Sequence, residues 1–256
     1  MKKMMLVLGV VCALAGAPLF AEDVETVEEE QEPTWKGSLG LAWVGTSGNT
    51  DTSSFGLDFG LERKPDPWGL TFVARGTRAD DSGQKTAENY LLSARAVRSL
   101  AERWEAFGGL AWARDPFAGY DSQTVAAVGA TYKAVESERH VLAFDGGLTY
   151  TWEDQISPVA PAPTLVTDSI SFAGGLVGLS WDWQIGKNSK LTERLVYLPN
   201  FDDSGDWRLN SMTAIEADIN EWLALRFGYD IRHRNQPIGD AEKTDTTSTA
   251  SVVFNF

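Results

Sequence analysis

The chain has 256 residues, 43% of them hydrophobic, and a formal net charge of −14. This length is sufficient for one all-β barrel or sandwich with a sizeable interior. Nucleic-acid binding is excluded, because a phosphate backbone is bound by clustered Lys and Arg and the acidic chain has no such block beyond its first residues.

Residues 1–21 have the pattern of a cleaved signal peptide. Lys2 and Lys3 precede an apolar run that ends in small residues, and we predict cleavage after Ala21. The alternative is a membrane-spanning helix, which needs about 20 uninterrupted apolar residues, whereas glycines and Pro18 interrupt this shorter run. The pattern therefore predicts an exported protein.

The chain's single cysteine, Cys12, lies within this segment, so the predicted mature protein has none. Disulfides, cysteine metal sites and thiol catalysis are thereby excluded from the mature chain. Residues 22–34 contain seven acids and no base, a composition typical of a disordered, solvated leader. The folded unit is predicted to span residues 35–256.

From Trp35 onward, apolar and polar side chains alternate with period two, the pattern of strands with one apolar face. Turn signals divide the region into about twelve strands, although the run at 188–200 alternates poorly. An even number of strands puts both termini on one side, with short and long connections on opposite sides. The two longest loops are predicted at 152–167 and 233–245.

The tryptophans favour a membrane barrel over a β-sandwich, which also alternates. Trp35 and Trp43 share one strand face eight residues apart, and so do Trp104 and Trp112. On a tilted strand this spacing corresponds to roughly 20 Å along the membrane normal, close to the ~25 Å apolar band between aromatic girdles. We therefore predict an antiparallel transmembrane β-barrel of about twelve strands, of the outer-membrane type.

The opposite strand faces carry small residues and scattered charges, which would line the lumen of such a barrel. The charged candidates for lumen-facing positions are Asp58, Arg75, Arg95, Asp145, Arg208, Glu216, Arg226 and Asp230. Such a set indicates either a selectivity constriction for small polar or anionic solutes, or an ion-pair network that closes the lumen.

The last residues, TASVVFNF, end in the middle of a period-two pattern. Val252, Phe254 and Phe256 would face lipid, and a terminal Phe in this setting resembles the signal read by the barrel-assembly machinery. The predicted partners are therefore outer-membrane lipid, lipopolysaccharide, and the assembly machinery with its periplasmic chaperones. No cofactor is predicted.

The sequence also bears on functions other than a channel. A hydrolase is not predicted, because His140 and His233 lie at opposite predicted rims and His233 points away from the face of Asp230. The acidic turns at 80–83 and 202–206 lack calcium-loop spacing, so no metal site is predicted. Long outer loops leave open an envelope-stress or integrity role, or a structural or adhesion barrel.

Several segments together resemble a known family. They are Trp35-x-Gly37, Ser47-Gly48-Asn49-Thr50-Asp51-Thr52, Asn89-Tyr90 and the strand and loop from Phe107 to Phe117. The chain is similar here to the salt-induced outer membrane protein family, catalogued as domain of unknown function 481. The resemblance covers residues 35–256 and implies an outer-membrane barrel, without catalytic residues.

Overall fold

The computed structural model describes residues 35–47, 52–65, 67–81, 84–159, 164–239 and 241–256. The predicted signal peptide and acidic leader lie outside these residues. The described chain forms twelve antiparallel strands and one short 3-10 turn, η1 (Pro116–Ala118). The strands are β1 (Lys36–Ser47), β2 (Thr52–Arg63), β3 (Trp68–Asp81), β4 (Gln84–Ala101), β5 (Trp104–Asp115), β6 (Tyr120–Glu136), β7 (His140–Val159), β8 (Thr164–Gly186), β9 (Ser189–Pro199), β10 (Trp207–Asp218), β11 (Leu223–Arg234) and β12 (Thr244–Asn255).

The strands close into one barrel in chain order, and this confirms the predicted fold. Each strand pairs with its sequence neighbours, and β1 pairs with β12 from Ser38 opposite Asn255 to Ser47 opposite Thr246. Closure satisfies backbone groups that an open sheet would leave unpaired at its edges. None of the helices in the described part of the chain is long and apolar enough to cross a membrane.

A belt of apolar side chains covers the outside of the barrel. Phe55 is 80% exposed, whereas Val253, on an inward face, is 1% exposed. The exposed belt includes Leu41, Trp43, Phe55, Leu57, Leu92, Leu110, Val128, Leu148, Val177, Ile215, Leu225 and Phe227. A continuous apolar surface of this extent is the lipid-facing surface of a transmembrane barrel.

The two ends of the barrel differ. The connections that follow β2, β4, β6, β8 and β10 are two to four residues long and lie at the end that also carries both barrel termini. Barrels of this class place short turns in the periplasm, so we call this end the periplasmic rim and the other the outer rim. The longest connections between the described strands, after β9 and β11, lie at the outer rim, in agreement with the predicted separation of short and long connections.

The predicted loop at 152–167 is wrong. β7 continues to Val159 and β8 begins at Thr164, and the two strands pair without interruption from His140 opposite Trp183 to Val159 opposite Thr164. Pro158 suggested a loop, but β6 pairs with β7 only as far as Gln155. Pro158 therefore lies where one side of β7 has no neighbouring strand, a position that tolerates proline. The other predicted long connection, between Arg234 and Thr244, is confirmed.

Candidate functional site

Charged side chains concentrate at the outer end of the lumen. We call this group the outer ion-pair layer, and it comprises Asp115, Glu153, Asp206, Arg208, Arg232 and Arg234. The Asp115 Oδ2 atom lies 2.9 Å from Arg232 Nη1. Their strands, β5 and β11, are six positions apart in the ring of twelve, so this pair joins opposite walls of the barrel.

The turn after β5 fixes the position of Asp115. Its Oδ1 atom accepts a hydrogen bond of 3.1 Å from the Ala118 amide, and its Oδ2 atom accepts one of 2.8 Å from Asn89. Gly119 ends the turn with a φ of 89°, a left-handed conformation that favours glycine. A Cβ at Gly119 would lie 2.7 Å from the Ile238 Cβ. The β11–β12 connection therefore packs against the β5–β6 turn across the outer mouth.

Glu153 is the most enclosed acid of the layer, with a side chain that is 0% exposed. Its carboxylate lies 2.9 Å from Arg234 and 3.1 Å from Arg208. It also accepts hydrogen bonds from Gln155, at 2.6 Å, and from Gln123. A buried charge is tolerated only with such partners, so the layer holds these side chains in one arrangement.

A second set of ion pairs lies deeper in the lumen. Asp58 accepts a 2.6 Å hydrogen bond from Arg75. Arg95 on β4 donates two 3.0 Å bonds to Asp145 on β7, three strands away. A third predicted acid of this region, Glu216, pairs with both Arg226 (2.6 Å) and Lys190 (2.8 Å). These pairs narrow the lumen without forming a continuous layer.

A cavity of about 1560 Å³, lined by charged, polar and apolar side chains, occupies the lumen. Its lining begins at the periplasmic rim with Lys36 and Glu221 and reaches Asp115, Tyr120 and Arg232 of the outer end. Six of the eight predicted lumen-facing residues line it, namely Asp58, Arg75, Arg95, Glu216, Arg226 and Asp230. Of the other two, Asp145 contacts Arg95 and Arg208 belongs to the outer ion-pair layer.

The sequence reasoning missed most of the outer ion-pair layer as a site. Glu153 and Arg234 fall within the predicted long loops, and Asp115 falls within the strand and loop from Phe107 to Phe117. The signal that could have found Glu153 is the period-two alternation, which continues through the predicted loop. Inward-facing positions on β7 are an even number of residues apart, and they include Asp145, Thr149, Thr151 and Glu153.

The structure also places the predicted girdle and terminal residues. Trp35, Trp43 and Trp104 are exposed, although Trp35 also borders the cavity, whereas Trp112 is half-buried. Val252 and Phe256 are exposed, and the Phe254 ring stacks on Trp222 at 6.1 Å. Phe256 and Gly37 exchange two backbone hydrogen bonds, of 2.7 Å and 3.0 Å, which extend the pairing of β12 with β1 to the last residue.

Among the described residues, the hydrogen-bond partners of the two histidines are not carboxylates. His233 bonds Thr244 Oγ1 at 2.8 Å and stacks on Trp207, whereas His140 accepts a 3.3 Å hydrogen bond from the Trp181 indole. Asp230 lines the cavity, on the opposite face of β11 from His233. Within the described ranges, no group of three His, Cys, Asp or Glu side chains is placed to hold a metal ion.

A closed antiparallel barrel with an apolar belt outside and an ion-paired lumen defines an outer-membrane barrel. The chain belongs to the family described as protein of unknown function, DUF481, whose model matches residues 39–256. It is 25% identical over 224 residues to the uncharacterized protein YdiY of Escherichia coli (strain K12), covering 86% of this chain and 83% of that protein.

Solved outer-membrane barrels share the fold. The NanC porin is similar with a TM-score of 0.55 at 10% identity, over 84% of this chain and 98% of that one. The translocator domain of the autotransporter NalP from Neisseria meningitidis has a TM-score of 0.55 at 12% identity, over 89% and 90%. An outer-membrane channel from Pseudomonas putida F1 has a TM-score of 0.52 at 11% identity, over 91% and 100%. At these identities the likeness shows the fold alone.

Proposed function

We propose that the protein is a narrow outer-membrane channel for small polar solutes, with its constriction at the outer ion-pair layer. The observation that carries this proposal is the 1560 Å³ cavity, whose lining includes charged side chains from the periplasmic rim to Asp115 and Arg232. A barrel that served only as a membrane anchor would have no need of such a cavity. The names of two of the solved relatives, a porin and a channel, agree with this role.

The charges of the lumen favour a small solute that carries hydrogen-bonding groups. Arg75, Arg95 and Arg226 each contact a carboxylate, so the wall alternates in sign at close range. The carboxylate of an anionic solute could displace one of these wall carboxylates. It would then bind the guanidinium group of the arginine through two parallel hydrogen bonds. Large solutes would not pass the ion pairs that cross the lumen.

Purified protein in planar bilayers tests the channel directly. We expect small, discrete conductance steps in salt, and liposome swelling with small sugars or amino acids that diminishes sharply as solute size increases. The matched control is the same preparation boiled before reconstitution, which should give neither signal. Absence of both signals, for the wild type and for variants with a weakened outer layer, would overturn the channel.

A second role is supported by a separate observation. β7 and β8 pair with each other as far as Val159 and Thr164, whereas β6 pairs with β7 only to Gln155. On the other side, the backbone contact of β8 with the segment that follows β9 extends through the Gly174–Asn200 bridge to Ala173, whose carbonyl accepts a 3.0 Å hydrogen bond from Phe201. This hairpin projects beyond the rim and would suit adhesion. Shortening it by removal of 157–166 would abolish surface attachment while leaving conductance unchanged.

A further inference from the structure

One carboxylate, that of Glu193, lies on the outward, lipid-facing side of the barrel wall. On β9, Leu191, Glu193, Leu195 and Tyr197 share the outward face, while Thr192, Arg194, Val196 and Leu198 line the cavity. Among the residues that the structure describes, Glu193 is the one carboxylate on an outward face within the apolar belt. A charged group here costs free energy in lipid unless it finds a partner.

The wall itself supplies two hydrogen-bond donors to Glu193. Ser211 donates a 3.0 Å bond to Oε1, and Thr213 donates a bond to Oε2, both from the outward face of β10. Both hydroxyl protons are therefore used within the wall. The carboxylate keeps further lone pairs, so the patch presents acceptors and no free donor to the membrane.

An indole ring borders the same carboxylate. Trp181 on β8 lies directly opposite Glu193, a pairing that puts the two Cβ atoms about 5 Å apart. Its ring stacks on Trp183 at 5.8 Å, and its N–H is donated to His140. The ring therefore has no donor left to offer Glu193, but its π-face can attract a cation.

The depth of the patch matches the headgroup side of the periplasmic leaflet. Trp183 pairs with Leu191 near the periplasmic rim, and Glu193 is two residues further along the strand. On a tilted strand this is roughly 5 Å further into the apolar band. The patch is thus within reach of lipid headgroups that lie at the inner aromatic girdle.

We propose that Glu193 and Trp181 bind the ammonium group of an ethanolamine phospholipid from the periplasmic leaflet. The carboxylate supplies the opposite charge and the indole supplies a cation–π contact in a medium of low dielectric. A second copy of the chain is disfavoured as the occupant, because it would set one acceptor-only carboxylate against another. An anionic headgroup without an amine has nothing to offer this patch.

Native mass spectrometry of the full barrel tests the site. The purified protein in detergent is mixed with equal amounts of phosphatidylethanolamine and phosphatidylglycerol that carry the same acyl chains. We expect the wild type to retain one phosphatidylethanolamine in roughly tenfold preference. Glu193→Gln should abolish the preference, and Trp181→Leu should reduce it.

Asp154→Asn is the matched control. Asp154 also accepts hydrogen bonds from two hydroxyls, Ser122 at 3.2 Å and Ser169 at 2.6 Å, but at the outer rim. It should retain the full preference. If the wild type shows no preference for phosphatidylethanolamine, the proposal is overturned. It is also overturned if Asp154→Asn loses as much of the preference as Glu193→Gln does. A wild-type mass of two chains that Glu193→Gln converts to one would assign the patch to a second copy instead.

Discussion

Asp115 and Arg232 form an ion pair between strands on opposite sides of the barrel, with 2.9 Å between Oδ2 and Nη1. A twelve-stranded barrel is wide enough to hold water, so a single pair that reaches across it sets the minimum width of the passage. The turn that orients Asp115 and the loop that packs Ile238 on Gly119 come from the same two sides. The outer end is therefore the narrowest part of the proposed path.

Removal of this pair should widen the channel. We expect the double variant Asp115→Asn/Arg232→Gln to conduct more current per opening than the wild type, because neither remaining side chain attracts the other. Changing both residues avoids leaving a buried charge without its partner. Single-channel recording in planar bilayers measures the effect.

Arg114→Gln is the control for that experiment. Arg114 lies at the same rim and pairs with Glu88 and Asp121 at 2.8 Å each, but it does not line the cavity. The conductance of the Arg114→Gln variant should equal that of the wild type. Equal conductance for the double variant would place the constriction elsewhere.

Glu153 should be critical for stability. Glu153→Gln leaves Arg208 and Arg234 with their longer 3.6 Å contacts to Asp206, and loss of one partner of a buried pair costs roughly 3–5 kcal/mol. The urea midpoint for unfolding from lipid vesicles should fall accordingly. Asp182→Asn, in the more exposed pair with Arg194, should change stability by about 1 kcal/mol or less. Similar effects for both would contradict the burial argument.

Gly129 should tolerate no side chain. A Cβ there would overlap the carbonyl oxygen of Gly146 and lie 2.8 Å from the Phe107 ring, so Gly129→Ala should destabilise the barrel by about 1–3 kcal/mol. Gly108→Ala, on the neighbouring strand with nothing within 4 Å of the added atom, should be close to neutral. Thermal unfolding followed by gel migration compares the two variants, and an equal loss in both would refute the steric cause.

The last residue should act in assembly in two separable ways. Phe256→Ala keeps the two backbone bonds to Gly37 and removes the ring that covers it, whereas deletion of Phe256 removes both. We expect slower appearance of the folded, heat-modifiable form in the substituted protein and a larger delay in the truncated one. Pulse-chase labelling measures this, with Asn255→Ala as the control. Wild-type kinetics in both altered proteins would remove the assembly role.

The fold was predictable because period-two alternation operates over the whole barrel, whereas parts of the site depended on exceptions to it. β9 alternated poorly because its outward face includes Glu193 and its inward face includes Val196 and Leu198. Pairing partners such as Asp115 with Arg232 are distant in sequence and follow only from the ring order. Alternation predicts whether a side chain points to lipid or to the lumen. It does not predict which residue it meets across the lumen.

The long β7–β8 hairpin also bears on the order in which the barrel assembles. Its pairing begins at the four-residue connection between Val159 and Thr164 and can extend one pair at a time to His140 opposite Trp183, so each added pair costs little chain entropy. The β1–β12 seam is the opposite case, because Ser38 must meet Asn255 at the far end of the chain. We therefore expect the hairpin to form early and the seam to close last.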